Sequence, residues 1–397
     1  MGVFEIGSSE VGGPDEVGGT VSLLPPPEDP PPPDPPPTDP VITIPTTPPE
    51  WAFLDVPVHK PVTYTFVVGG NTPAYELPFI LDPGLSFSLK DACKVSFNLN
   101  ELDPLASKIA ELQTDLWVYR NRELIFRGRV GPSQDVLDAD SGYASFTAFD
   151  YRGVLKRRSI YDDDIYFWYD EDIAVIVKNC LDAVQGRTGG NLGITLGTGF
   201  PALGVVRNEV EFTPGTKMAE GLDSLQESKL RGFDWEVSPK LELNLWAQRG
   251  IAPAVRHIEY NGAIKNLTRD FKTDEFANAA RASGGEIPEP IILEDPNVGT
   301  DERGRWEAEV SWPDVETQEI LEDRTEYLLE QVNRVPEEYS VQLREGHWQG
   351  PSSLWLGDET ILVVNFGRLG ESKTVRVHEL SLGPDGDGGE QVKATLK

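Results

Sequence analysis

The sequence predicts a mainly β fold with an α+β insert: two small β-barrel-like domains flank an α+β domain, and an extended Pro-rich arm precedes them. Three observations lead there. Short runs with an apolar residue at every second position occur both before residue 158 and after residue 259. Two amphipathic helical stripes fall between them. The opening stretch "LLPPPEDPPPPDPPPTDPVITIPTTPPE" is about half proline, and proline fixes φ and removes a donor, so that piece cannot build a core. The expected domains are therefore 1–50 (acidic arm), 51–158 (first barrel-like domain), 159–258 (α+β domain) and 259–397 (connecting helix and second barrel-like domain).

Each element has its own warrant. The arm carries no Lys or Arg before Lys60. It reads either as an acidic tether or as an assembly arm lying on a neighbour. In the first domain "YTFVV", "LSFSL" and "CKVSFNL" alternate, with Val95, Phe97 and Leu99 opposed to Lys94, Ser96 and Asn98. "DPLASKIAELQ" predicts a short helix, with Asp103 as N-cap, Pro104 in the first turn, and Leu105, Ile109 and Leu112 on one face. "DLWVYRNRELIFRGRV" predicts a hairpin with arginines at its strand ends, and "ASFTAFDYRGVLKRR" follows it.

In the insert, Ile173, Ile176, Val177, Cys180, Leu181 and Val184 form a helical stripe closed by Gly186. Met218, Leu222 and Leu225 mark a second helix. "GFDWEVSPKLELNLWA" turns at Pro239-Lys240, with Leu241, Leu243 and Leu245 facing one way. The glycine-rich "GRTGGNLGITLGTGF" lacks phosphate-loop spacing and reads as a mobile loop. Further on, "NAARASGGE" is a candidate strand, and "DVETQEILEDRTEYLLEQV" a helix stopped before Pro336. "YSVQLRE", "ETILVVNFG", "KTVRVHELSL" and "EQVKATLK" are strands, the last two joined by the turn signal "GPDGDGG".

Composition excludes several functions. Of 397 residues, 66 are acidic and 35 basic, a net charge of −31, so neither a nucleic-acid binder nor an anionic-lipid dock is expected. Two cysteines, Cys93 and Cys180, cannot make a disulfide framework and read as buried fillers suited to a reducing cytoplasm. No basic start and apolar core mark a secretion signal, and no apolar run reaches the about 18 residues of a membrane helix. A protein of this kind would reach the outside by a route other than secretion.

Candidate chemistry is sparse. His59, His257, His347 and His378 lack i, i+3 or i, i+4 partners, so no zinc site is expected. "YDDDIYFWYDED" offers Asp162, Asp163, Asp164, Asp170, Glu171 and Asp172, enough carboxylates for glycoside hydrolysis or a divalent ion. However, Asp170 to Asp172 also suit a helix N-terminus, and the aromatics read as a loop that packs or touches a partner. Asp385, Asp387 and Glu390 alternate as calcium ligands do, but the segment is too short for an EF-hand loop and reads as a hairpin turn. Nine tryptophans, spread over all segments, read as core or interface anchors, with a sugar-binding row as the lesser reading. No catalytic, cofactor-binding or metal-binding residue is assigned, and no cofactor is expected.

Several segments in order, "ACKVSFNLNELDP", "LWVYRNRELIFRGRV", "FTAFDYRGVLKRR", "GLDSLQESKLRGFDWEVSPKLELNLWAQRG", "NAARASGGE", "LWLGDETILVV" and "VRVHELSL", resemble the tail-hub, or minor tail, proteins of long-tailed bacteriophages. These are similar to contractile baseplate hubs and to the N-terminal part of tail-associated lysins. The resemblance implies a structural virion protein, without enzymatic activity, assembled in the host cytoplasm and placed at the tail tip. It implies a homotrimer whose six barrels adapt the six-fold tail tube to a three-fold tip and form part of the DNA exit channel. The implied partners are the tail tube or distal tail protein ring, the tape measure protein, and tail fibres or other tip proteins. The alternatives are a tail-tip cell-wall hydrolase or saccharide-binding receptor-recognition protein, and a hub of a related injection machine. The Pro-rich arm falls outside the resemblance.

Overall fold

The computed structural model describes residues 62–397 apart from 71–73, 101, 138–141, 162–165, 198–199, 201–202, 227–232, 251–256, 261, 286, 314, 316, 336, 365–369 and 385–388. The Pro-rich arm (1–50), Trp51, His59, Asp162, Asp163, Asp164, Asp385 and Asp387 lie outside the described residues.

The fold is mainly β. The first module contains β1 (Tyr64–Gly70), β2 (Tyr75–Glu76), β3 (Leu81–Ser88), β4 (Lys94–Asn100), β5 (Thr114–Arg120), β6 (Glu123–Leu137) and β7 (Gly142–Asp150). On β4 the alternation behaves as expected: Val95, Phe97 and Leu99 are buried, Lys94 and Ser96 exposed. The β5–β6 hairpin turns on Asn121 and Arg122, whose φ values of 48° and 71° match the right-handed twist of the flanking strands. Thr63 fixes that turn, its N–H donating to Asn121 Oδ1 at 3.0 Å and its carbonyl accepting from Asn121 N at 2.8 Å.

The helix expected over 103–113 does not form. Asp103 Oδ1 does accept from Leu105 N at 2.8 Å, but only a single 3-10 turn, Ala106–Lys108, follows. Leu112 takes φ 62° and stands 57% exposed. Thr114, the first residue of β5, stops the helix: its N–H donates to Ala110 O and its hydroxyl accepts from Ala110 N, both at 2.9 Å.

The insert contains α1 (Tyr151–Leu155), β8 (Tyr166–Asp172), α2 (Ile173–Gly186), β9 (Thr195–Leu196), β10 (Val206–Phe212), α3 (Met218–Gln226), β11 (Asp234–Val237) and β12 (Glu242–Trp246). The stripes on α2 and α3 are buried as expected, and with Tyr151, Leu155, Phe233, Trp235, Leu243 and Leu245 they form a second core. Two expectations fail here. The aromatics of "IYFWY" are not a loop, because Tyr166 to Tyr169 lie on β8, antiparallel to β10. The described part of the glycine-rich segment is tied to its neighbours: β9 runs parallel to β12, and Gln185 Oε1 accepts from Leu192 N (3.2 Å) and Ile194 N (2.9 Å).

The last part comprises β13 (His257–Glu259), β14 (Ile264–Phe271), β15 (Ala279–Gly284), β16 (Ile291–Glu294), β17 (Glu307–Trp312), α4 (Gln318–Val332), β18 (Glu337–Leu343), β19 (Glu359–Val364), β20 (Glu371–Pro384) and β21 (Glu390–Leu396). β15 sits between β16 and β17, and this small sheet packs on α4 through Ala282, Val315 and Leu321. The other strands join the first module. Among the described residues the large sheet runs β14-β18-β21-β20-β3-β4-β7-β6-β5-β1-β2, with β19 and β13 branching from the first half of β20. Leu85 opposite Leu382 and Phe87 opposite Leu380 make the seam between β3 and β20. The two β modules therefore share one sheet and one core, in which Phe87 meets Trp355 at 4.9 Å between ring centroids.

Candidate assembly interface

Charged side chains buried where segments meet hold the molecule together. Arg120 ends β5 and Glu390 opens β21, 270 residues later; Arg120 Nε donates to Glu390 Oε1 at 3.0 Å and Nη2 to Oε2 at 2.7 Å. Tyr64 OH donates to the same carboxylate, and the Trp348 ring lies 4.4 Å from the guanidinium. Burial and the Glu390 charge push the Tyr64 phenol well above its ordinary range. Glu390, a calcium-ligand candidate from the sequence, is thus committed to a bidentate ion pair.

A second cluster lies inside the β5–β6 hairpin. The buried Asp115 carboxylate accepts from Arg129 Nε at 2.6 Å, from Tyr151 OH at 2.8 Å and from Arg127 Nη2 at 3.2 Å. Arg120, Arg127 and Arg129 of the hairpin are therefore internal ties, while Arg122 in the turn is exposed.

Two further arginines fasten the insert to the sheet. Arg152 on α1 reaches Asp223 on α3 at 2.6 Å and the carbonyl of Leu89 at 3.0 Å, with its guanidinium 4.2 Å from the Trp235 ring. Arg376 on β20 pairs with Asp234 on β11 and donates to the carbonyls of Arg249 (2.8 Å) and Gly357 (3.0 Å). Gly250 and Gly357 permit that crossing: a Cβ on Gly250 would lie 2.1 Å from Gly357 O.

Between the sheet and the insert a half-open pocket of about 130 Å³ is lined by Cys93, Arg127, Asp150, Glu236, Arg249 and Trp355. Burial pushes the Asp150 carboxyl up to about 6, although Gly153 N donates to it as the N-cap of α1. Burial also raises both thiols, Cys93 well above its ordinary value and Cys180 to about 12. Neither is in the thiolate state a nucleophile needs.

The other sequence candidates are dispersed. Asp172 caps α2, accepting from Ala174 N and Gly204 N, each at 2.8 Å. Glu171 stands opposite Arg207, and Asp170 is exposed with φ 49°. Burial lowers His378 to about 4 and lowers His347. His257 begins β13, next to β19. Among the described residues no group of three or more His, Cys, Asp or Glu could hold a metal ion, and no helix is long and apolar enough to cross a membrane. Of the tryptophans, Trp235 and Trp348 are buried while Trp306 is 53% exposed.

Sequence reasoning missed two features. The Arg120–Glu390 tie has no local signal, since its partners lie at opposite ends of the described chain. The exposed aromatic face of β8 was hidden by flanking acids, although Phe167 and Tyr169 at i, i+2 carried the strand period. Among the described strands, the main path of the large sheet has two dissimilar ends, since β14 pairs only with β18 and β2 only with β1, and its side branch ends at β13, which pairs only with β19.

No family model and no curated protein matches the sequence. Solved structures do. A tail protein from Neisseria meningitidis MC58 superposes with a TM-score of 0.61 at 14% identity, covering 85% of this chain and 96% of that one. The 43 kDa tail protein of prophage MuSo2 from Shewanella oneidensis gives 0.60 at 14% identity, covering 84% and 98%. Prophage tail protein gp18 from Listeria monocytogenes EGD-e gives 0.51 at 11%, covering 83% and 94%. Over nearly their whole length, and over most of its own, this chain has the fold of phage tail proteins.

Proposed function

We propose that the chain is a structural virion protein, the trimeric hub of a long-tailed phage tail tip. The observation that carries this reading is a single sheet built from two β modules, with unlike ends at β14 and β1–β2. Open strand edges invite pairing, and two unlike edges make a heterologous interface that a closed ring satisfies and an open stack does not. Three copies bring six β modules to the ring, the number a six-fold tube requires. The fold shared with prophage tail proteins supports the same reading.

The excess of 66 acidic over 35 basic residues gives a bore lined by this chain little with which to grip phosphate, so DNA passes without sticking. In this reading one rim meets the tail tube or distal tail protein ring, the tape measure protein ends at the bore, and fibres or other tip proteins attach on the far side. The buried ion pairs act as ties, and no chemical step is assigned to them. The test is the native mass of the purified full chain across a dilution series. Three chains per particle are expected, and a monomer at micromolar concentration overturns the hub.

A further inference from the structure

The insert carries a surface that the hub reading does not use. β8 and β10 form a two-stranded ribbon, and the i, i+2 alternation of β8 places Phe167 and Tyr169 on its outer side, 46% and 63% exposed. Their rings are nearly parallel, 11° apart in plane and 6.2 Å between centroids. Trp168, between them in sequence, turns inward and packs edge to face on Phe212 at 5.7 Å, which fixes the outward direction of the pair. Register sets Glu209 directly across the ribbon from Tyr169. Asp170, next along β8, is exposed and holds φ 49°. Among the described residues, neither carboxylate has a hydrogen bond or ion pair, and no Lys or Arg lies over either ring.

Elsewhere the same chain fills such a place with an arginine. The Arg120 guanidinium lies 4.4 Å from the Trp348 ring and pairs with Glu390, and that of Arg152 lies 4.2 Å from Trp235 and pairs with Asp223. Arg303 lies 4.1 Å from the Phe276 ring and pairs with Asp301. The face of an aromatic ring is negative and a carboxylate only accepts, so the two together favour a cationic donor. On the ribbon, ring and carboxylate adjoin in the same way, and no described residue of the chain brings the cation to them.

We infer that the ribbon docks an extended cationic segment of a partner protein, with one arginine stacked on each ring and one of the two bonded to Glu209. Arginines at i and i+2 of an extended strand stand about 6.6 Å apart, comparable to the 6.2 Å between the rings. A guanidinium is planar and weakly hydrated, so it stacks on a ring at less cost than an ammonium does. The net charge of −31 draws such a segment in and turns nucleic acid and anionic lipid away.

The test titrates the full chain calorimetrically with the end-blocked peptide Ser-Arg-Ser-Arg-Ser, with its citrulline counterpart, which keeps the shape and loses the charge, and with spermidine. One saturable site per chain is expected for the arginine peptide, weakening as salt rises, and none for the citrulline peptide. Phe167→Ala and Tyr169→Ala should each weaken binding about threefold, the loss of one exposed cation–π contact, and the double variant about tenfold. Glu209→Gln should also weaken it about threefold. Glu322→Gln removes the same charge from the exposed face of α4 and should leave binding unchanged. These side chains are exposed or half-buried, so melting temperature and native mass should not move; docking and the hub reading therefore fail separately. The inference is overturned if the arginine peptide does not bind at millimolar concentration, if the citrulline peptide binds equally, or if Glu322→Gln weakens binding as much as Glu209→Gln. Binding that survives the loss of both rings overturns it too. So does spermidine binding that the ring variants weaken to the same extent, since that marks a polyamine site.

Discussion

Glu390 and Glu209 both lie on β-strands beside aromatic rings, yet the molecule treats them in opposite ways. Glu390 has a side chain 6% exposed and is gripped bidentately by Arg120 between the two β modules. Glu209 stands opposite Tyr169, whose ring is 63% exposed, on a ribbon that pairs with no other described strand. Where distant segments meet, the large sheet buries charges as ties, as in Arg120–Glu390 and Arg376–Asp234. The insert keeps a core of its own and presents carboxylates and rings outward. One region is built for rigidity, and the other offers a surface.

Mutations at equivalent places should separate the two regions. The largest effect is expected at the seam: Glu390→Gln leaves Arg120 buried without its counter-charge and should cost about 3–5 kcal/mol in chemical denaturation. Leu222→Ala, in the core of the insert, should cost about 2–4 kcal/mol. If the insert folds as a separate unit, that loss will appear as a second, earlier transition. Asp223→Asn weakens the tie from α1 to α3, and because this carboxylate is 31% exposed a loss of about 1–2 kcal/mol is expected.

The pH response probes the sheet side of that contrast, since Asp150 ends β7 and His378 lies on β20. Asp150 titrates near 6 in the folded chain against an ordinary 3.8, so its contribution is full below 3.8 and is lost as pH rises through about 6. His378, lowered to about 4 from 6.5, works in reverse: its contribution is present above 6.5 and lost as pH falls through about 4. Between pH 4 and 6 the two slopes oppose. Asp150→Asn keeps the N-cap of α1 but removes one slope, so thermal melts of this variant should gain stability from pH 4 to 6 more steeply than the parent. The smallest effect is expected on the ribbon, where Glu209→Gln should change stability by less than about 0.5 kcal/mol.

The elements legible in the sequence were those whose pattern is local. Val95, Phe97 and Leu99 announced β4, and the stripe from Ile173 to Val184 announced α2, because one face of each is buried along its length. The 103–113 segment misled because its apolar spacing is helical, whereas the bonds from Thr114 to Ala110 belong to the start of a strand. β8 was read as a loop because the acids that flank it point to a helix N-terminus, although Phe167 and Tyr169 keep the period-2 spacing. The union of the two β modules through β3 and β20, and the partner of Arg120, depend on pairings some 300 residues apart that no window along the chain contains.

A reconstruction of an intact tail tests the hub reading most directly. The account predicts three copies of this chain in a closed ring at the tip, with β14 of each facing the β1–β2 end of its neighbour around a common bore. A single copy attached to the side of the tail, or a ring whose subunits meet through the α+β insert while both sheet ends stay in solvent, would contradict it.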